Sequence, residues 1–175
     1  MKPSTQSPFP TLLRACAVIT AVALAGCQTT VDAQWATRDD TVYRWQHALP
    51  TLPVDVRGHL PGTTNEDVVR AIPHAVSPET HEGARLIVEI GDDAAPRDGS
   101  YCSTQGPADT KVDIRAPLML TLTLCDGSRL VASSSAPLQA SKNDTSNLPR
   151  QIDRLKNLML IGIDESPAQF SGIQG

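Results

Sequence analysis

The chain has 175 residues, 40% of them hydrophobic, and carries a formal charge of −4 from 15 basic and 19 acidic side chains. That is enough apolar material for one ordinary core, and without clustered Lys or Arg it excludes a nucleic-acid footprint. Only 3% of residues are aromatic, which leaves little stacking surface for a sugar or a flat apolar ligand.

The chain opens with Lys2 and Arg14, then an apolar run over 15–24, then Leu24-Ala25-Gly26-Cys27. The run falls well short of the roughly 20 residues needed to cross a bilayer. A cationic start, a short apolar segment and a small-residue junction are the pattern of a secretory signal. With cysteine at the junction, the segment resembles a bacterial lipoprotein signal peptide ending in a lipobox. That resemblance implies cleavage before Cys27, a diacylglyceryl group on its thiol and acylation of the freed amine. One acyl chain is marginal at about 0.8 kcal/mol per buried CH₂, so three would make the anchor effectively permanent. Gln28 stands where an Asp would resemble the inner-membrane retention signal of Gram-negative lipoproteins, so the implied location is the periplasmic face of the outer membrane.

The expected organisation is a signal peptide over 1–26, a lipidated flexible tether over 27–40, one α+β domain over 41–165 and a disordered tail over 166–175. Residues 28–40 are mostly polar, with one aromatic residue, Trp35, and read as a spacer. Val42, Tyr43 and Trp45 give 41–47 the content of a short edge strand, broken by the two prolines of 48–53. Beyond Pro53 the alternation is clean. Val54, Val56 and Leu60 fall on one face, with Asp55, Arg57 and His59 on the other, which predicts a half-buried strand. Pro61-Gly62 turns the chain. Thr63, three residues before Glu66, has capping-box spacing, and Val68, Val69 and Ile72 predict a short helix stopped at Pro73. Leu86 to Ile90, within Ala84 to Gly91, is nearly continuous apolar sequence and suits a central strand covered on both faces. Strand, helix and strand together read as a split βαβ-like unit.

Residues 91–106 are rich in Asp, Pro and Gly and read as a loop holding Cys102. The strongest strand signal is 111–125, where Leu118, Leu120, Leu122 and Leu124 alternate with Met119, Thr121 and Thr123. The leucine face is expected inward and the threonine face wet, with Pro117 at a bulge or strand start. Asp126-Gly127 signals a hairpin. A three-residue loop over Cys125, Asp126 and Gly127 pairs Leu122 with Leu130 and Leu120 with Ala132, and it keeps apolar residues on one face, unlike a two-residue loop over Asp126-Gly127. Residues 133–148 read as a loop. Pro149, then Ile152, Leu155, Leu158 and Met159 at three- and four-residue spacing, predict an amphipathic helix on the leucine face, although 158–163 could equally form a last strand.

Four cysteines are present. Cys16 leaves with the signal and Cys27 is lipidated, so Cys102 and Cys125 remain for a disulfide in an oxidising compartment, worth roughly 3 kcal/mol. A reactive thiol or half of a metal site is the alternative, though Cys-x-x-Cys spacing is missing. The chain has neither a Gly-x-Ser-x-Gly frame around Ser133, Ser134 and Ser135 nor a Gly-rich phosphate loop opening a helix. No cofactor is implied.

His74, Glu79, His81 and Glu82 form the one metal constellation worth naming, with His74 and His81 as candidate ligands, but they lack helical i, i+4 spacing. Asp92, Asp93 and Asp98 beside Gly99 miss the ligand spacing of a calcium loop. Arg57 and His59 offer an anion or partner contact on the polar strand face.

These readings add up to an α+β domain: an antiparallel or mixed sheet of four or five strands, two helices on one face, and one disulfide. The expected function is a non-catalytic envelope lipoprotein that binds a periplasmic or outer-membrane protein through an exposed sheet edge or face. The rivals are a lipid-anchored metal-dependent hydrolase using His74 and His81 and a small-ligand binder.

Overall fold

Alternating apolar and polar positions build one sheet with two unlike faces. The computed structural model describes residues 29–76, 83–91, 99–103, 118–138 and 144–167. In chain order it contains β1 (Thr30–Asp32), α1 (Val42–Ala48), β2 (Val54–Arg57), α2 (Asn65–Ala71), β3 (Ala75–Val76), β4 (Ala84–Gly91), a 3₁₀ turn (Gly99–Cys102), β5 (Met119–Asp126), β6 (Arg129–Pro137) and α3 (Leu148–Asp164). The strands form one six-stranded sheet in the order β1-β6-β5-β4-β2-β3. β2 runs parallel to β3 and β4, and the other pairings are antiparallel. The class is α+β with a mixed sheet, as expected, but it has six strands rather than four or five and three helices rather than two. The additional strands β1 and β3 span three and two residues, too short to carry a periodic signal.

The leucine face of β5 is the main core. Leu120, Leu122 and Leu124 join Val54 and Val56 of β2 and Leu86, Val88 and Ile90 of β4 beneath the helices. α3 covers them with Leu148, Ile152, Leu155, Met159 and Ile163. It is one continuous helix through Asp164, so the strand alternative for 158–163 is excluded. β2 and β4 are direct neighbours rather than split, with α2 crossing between them.

Several local expectations shift. Residues 42–48 form a helix instead of an edge strand, because the Thr41 hydroxyl caps it by accepting from the Arg44 amide and i, i+4 spacing carries Trp45 and Leu49 inward. The capping box of α2 sits one residue later than expected, on Thr64 and Asp67. Thr63 instead donates its hydroxyl to the Leu60 carbonyl at 3.0 Å. The hairpin loop is Gly127-Ser128, with Asp126 opposite Arg129 and Gly127 at φ 63°, at the first loop position where a type II′ turn takes glycine. Leu122 therefore faces Ser134 and Leu120 faces Ala136. A bulge between Leu124 and Cys125 lets consecutive Val131 and Ala132 both enter the core.

The threonine face is buried, not wet. Thr121 and Thr123 are covered, as are Asp55, Arg57 and Arg85 on neighbouring strands. Ile87, Leu130 and the disulfide pair Cys102 and Cys125 form a second small core, with Trp35 and Tyr101 packed on it. The serine run 133–135 lies inside β6 and is buried, since small side chains let the sheet be covered closely. Ser134 donates its hydroxyl to the Leu155 carbonyl of α3 at 2.9 Å. The expected flexible spacer is folded from β1 onward, because β1 pairs with β6 and Ala36 and Asp40 are buried. Ser166, assigned to the tail, is buried too. Residues 1–28, 111–117 (which include Pro117) and 168–175 lie outside the described residues.

With both faces covered, core substitutions should separate by chemistry rather than by face. Leu122→Ala should cost about 2 to 5 kcal/mol through lost transfer energy and a cavity. Thr123 is 0% exposed and its hydroxyl has no hydrogen-bond partner. Thr123→Val, which exchanges that hydroxyl for a methyl group, should be neutral or raise stability by up to about 1 kcal/mol in a urea melt.

Candidate binding surface

The residues singled out from sequence scatter. His74 is exposed at a turn with φ 61°, and its carbonyl accepts from the Val54 amide at 3.0 Å. Its proposed partners Glu79, His81 and Glu82 lie outside the described residues, as do Asp92, Asp93 and Asp98 and the acceptor Cys27. Among the described residues no three His, Cys, Asp or Glu side chains converge on a metal-sized site, and no helix is long and apolar enough to cross a membrane. Arg57 and His59 part company. His59 turns its Nδ1 to the Leu60 carbonyl at 3.0 Å, whereas Arg57 is buried with its guanidinium 5.2 Å from the centre of the Tyr101 ring.

The buried polar face is held by ion pairs and hydrogen bonds between strands and turns. Tyr101 donates its hydroxyl to the Glu89 carboxylate. Burial, the charge of Glu89 and that hydrogen bond push the tyrosine well above its ordinary pKa, against the pull of Arg57. Such a hydroxyl keeps its proton and serves as a donor rather than a base. Arg85 pairs with Asp55 at 3.3 Å and donates to the carbonyls of Gly127, at 2.9 Å, and of Cys102. The charges of β2 and β4 thereby hold the hairpin tip and the disulfide-bearing turn.

A second polar centre does open to solvent. Asp40, 0% exposed, accepts two hydrogen bonds from Arg129 at 2.7 and 3.0 Å, one from Trp45 Nε1 at 3.1 Å, and two from the amide and hydroxyl of Thr37 at 2.8 and 2.9 Å. Burial alone would raise its pKa, but the hydrogen bonds from Arg129 and Thr37 outweigh that and hold it below 3.8. Above this anchor Asp126 receives Arg44 at 2.8 Å and Arg129 at 3.0 Å, and Arg44 lies 4.3 Å from the centre of the Trp45 ring. The outer face of α1 then presents Tyr43, 75% exposed, against His47, the ring centres 4.4 Å apart and His47 Nδ1 donating to the Tyr43 carbonyl.

Tyr43, Arg44 and His47 thus stand on a short helix held by a fully buried carboxylate. Exposed tyrosine and arginine on a rigid base are the side chains that most often anchor protein interfaces, because they bring large contact area at low entropic cost. Reading 41–47 as a strand hid the patch. The Thr41 cap and the spacing of Val42, Trp45 and Leu49 are the signals that would have placed Tyr43 on an outward helical face. No family model, curated protein or solved structure matches the chain.

Asp40 should govern acid stability. A carboxylate whose folded pKa is depressed contributes stability above its unfolded value, and that contribution fades as pH falls through the folded one. Asp40→Asn should cost about 2 to 3 kcal/mol near pH 7, where Arg129 loses the buried one of its two carboxylate partners. The gap to the wild type should narrow below about pH 4 in urea melts taken across pH.

Proposed function

We propose that the chain is a lipid-anchored envelope lipoprotein, attached through Cys27 to the periplasmic face of the outer membrane, and that it acts as a non-catalytic accessory for a protein partner. The observation that carries the reading is the exposed Tyr43 and His47 pair on a helix fixed through Asp40. An exposed sheet face no longer offers the docking surface, because Thr121, Thr123, Arg57 and Arg85 are buried.

Orientation supports the same assignment. β1 runs antiparallel to β6 with Thr30 opposite Ser135 and Asp32 opposite Ser133, so the chain enters at the far end of β6 from the hairpin. Arg44 and Arg129 meet Asp126 at the hairpin end, six residues from Ser135 and therefore about 20 Å along the strand. The aromatic patch is held away from the point of anchorage, where a periplasmic protein has access to it.

Two measurements test this. Cys27→Ser should abolish the acyl mass on the mature protein and release it from the membrane fraction. A photocrosslinking residue at Tyr43 in intact envelopes should capture one defined protein, whereas the same residue at Asp153, exposed on α3, should not. Adding Tyr43→Ala to a crosslinker at His47 should cut the yield about tenfold, the ordinary effect of losing an interface anchor. Equal capture at Tyr43 and Asp153, or none at either, overturns the partner surface.

A further inference from the structure

Three large apolar side chains are exposed among the described residues: Tyr43, Val31 at 38% and Ile161 at 53%. The last two belong together. They line a groove of about 320 Å³ between β1 and the C-terminal half of α3, with Ala33, Leu158, Gly162 and Pro167. Gly162 is what brings the two elements together, since a Cβ there would stand 2.5 Å from a Val31 methyl. β1 is the outermost strand on its side of the sheet, so this groove forms one margin of the domain.

We propose that this margin rests on the lipid surface into which acylated Cys27 inserts. The inference rests on the anchoring reading above and adds how the domain sits. Its argument is the length of the leash. The expected spacer of 27–40 does not exist as a spacer, because β1 begins at Thr30 and is paired with β6. Two residues, Gln28 and Thr29, lie between Cys27 and Thr30, and Val31 is four Cα steps from Cys27. At no more than about 3.6 Å per residue, Val31 lies within about 14 Å of the acylated residue.

The interfacial layer of one leaflet is itself roughly 5 to 8 Å deep. Val31 is therefore held within about 6 to 9 Å of the outer edge of the headgroup layer, which keeps the β1 margin beside the lipid surface. Of the surfaces near the tie, the one carrying Val31 and Ile161 presents two of the three exposed large apolar side chains among the described residues. Glu165 at the groove wall and the negative net charge, −4 for the whole chain and −6 once Lys2 and Arg14 leave with residues 1–26, favour zwitterionic over anionic headgroups as the contact. The far edge carries α2, packed on β2 and β3, four and five strand spacings and therefore about 19 to 24 Å from β1.

The test uses the full lipidated protein in phosphatidylcholine and phosphatidylethanolamine vesicles. Cys102 and Cys125 are bonded to each other, so a cysteine introduced at Ile161, at Gln34 or at Arg70 supplies a single labelling site once Cys27 is acylated. Ile161 and Gln34 border the groove, and Arg70 is exposed on α2. With an environment-sensitive fluorophore, the labels at Ile161→Cys and Gln34→Cys should shift to shorter wavelength and be quenched at least threefold more by nitroxide lipids than the label at Arg70→Cys. Val31→Asp should reduce the quenching at position 161 toward that at position 70.

Equal quenching at 161, 34 and 70 overturns the proposal. So does shielding at 161 that persists without vesicles, whether it depends on protein concentration, as a second copy in the groove would require, or is lost on removing residues 168–175. Intact mass of the same samples separates the two readings. Without an acyl mass on Cys27 the anchoring reading falls and this one with it, whereas an acyl mass present with no preferential quenching overturns the docking alone.

Discussion

Asp40 is the point where three separate stretches of chain are tied together. Its carboxylate binds the loop before α1 through Thr37, the helix through Trp45 Nε1, and the β5–β6 hairpin through both Arg129 nitrogens. With no exposed surface of its own, it depends on those donors for the solvation that water would otherwise supply. The arrangement is geometrically demanding, because the fork of Arg129 and the indole of Trp45 must arrive together. The patch on α1 inherits its rigidity from this constraint. A seven-residue helix has little stability of its own, and it is buried Trp45 and the bond to Asp40 that fix where Tyr43 and His47 stand.

The sheet has the unusual property that both faces are closed while one is largely polar. On the core face the helices bury Leu120, Leu122 and Leu124, and the driving force is ordinary removal of apolar area from water. On the other, Asp55 pairs with Arg85, Tyr101 donates to Glu89 beneath the guanidinium of Arg57, and Arg85 donates to the carbonyls of Gly127 and Cys102. Buried ion pairs of this kind add little net stability over apolar side chains of the same volume, because desolvation offsets the attraction. What they impose is position: Arg85 reaches both the hairpin tip and the residue before Ser103, and the disulfide to Cys125 holds that same turn to β5. Covalent and ionic contacts therefore act on one short segment whose apolar content, Tyr101 and Cys102, is small.

The pairing of β1 with β6 bears directly on the proposed anchor at Cys27. A polar segment after a lipidated cysteine would act as a flexible lead and let the domain sample a wide volume. Once Thr30 is hydrogen-bonded to Ser135 at 2.5 Å and Val31 packs against Gly162, the lead is reduced to a few residues. Under the proposed anchoring, attachment and orientation become one property, since β1 enters at the end of β6 opposite the hairpin where Arg44 and Arg129 meet Asp126.

The sequence by itself determined the elements whose periodicity is long enough to read: the leucine alternation of β5, the apolar run of β4, the amphipathic spacing of α3, and the pairing of the two cysteines left once Cys16 and Cys27 are assigned to the signal and the lipid. The resemblance of Leu24-Ala25-Gly26-Cys27 to a lipobox, on which the proposed anchoring rests, is likewise carried by a linear run of four residues. Tertiary structure decided the rest. Alternation placed Arg57 and Thr123 on the polar face correctly, but whether that face is wet depends on Trp35 and Tyr101, remote in sequence and joined to it only by folding. The hairpin register turned on a bulge that brings Val131 and Ala132 into one core, a choice made by the packing of the whole sheet rather than by Asp126-Gly127. β1 and β3 have no periodicity to read, because two or three residues acquire a strand conformation only from the neighbour they pair with. Tyr43 became a candidate contact for the same reason, since buried Asp40 and Trp45 turn a strand-like run of aromatic and branched residues into a helix with its tyrosine in solvent.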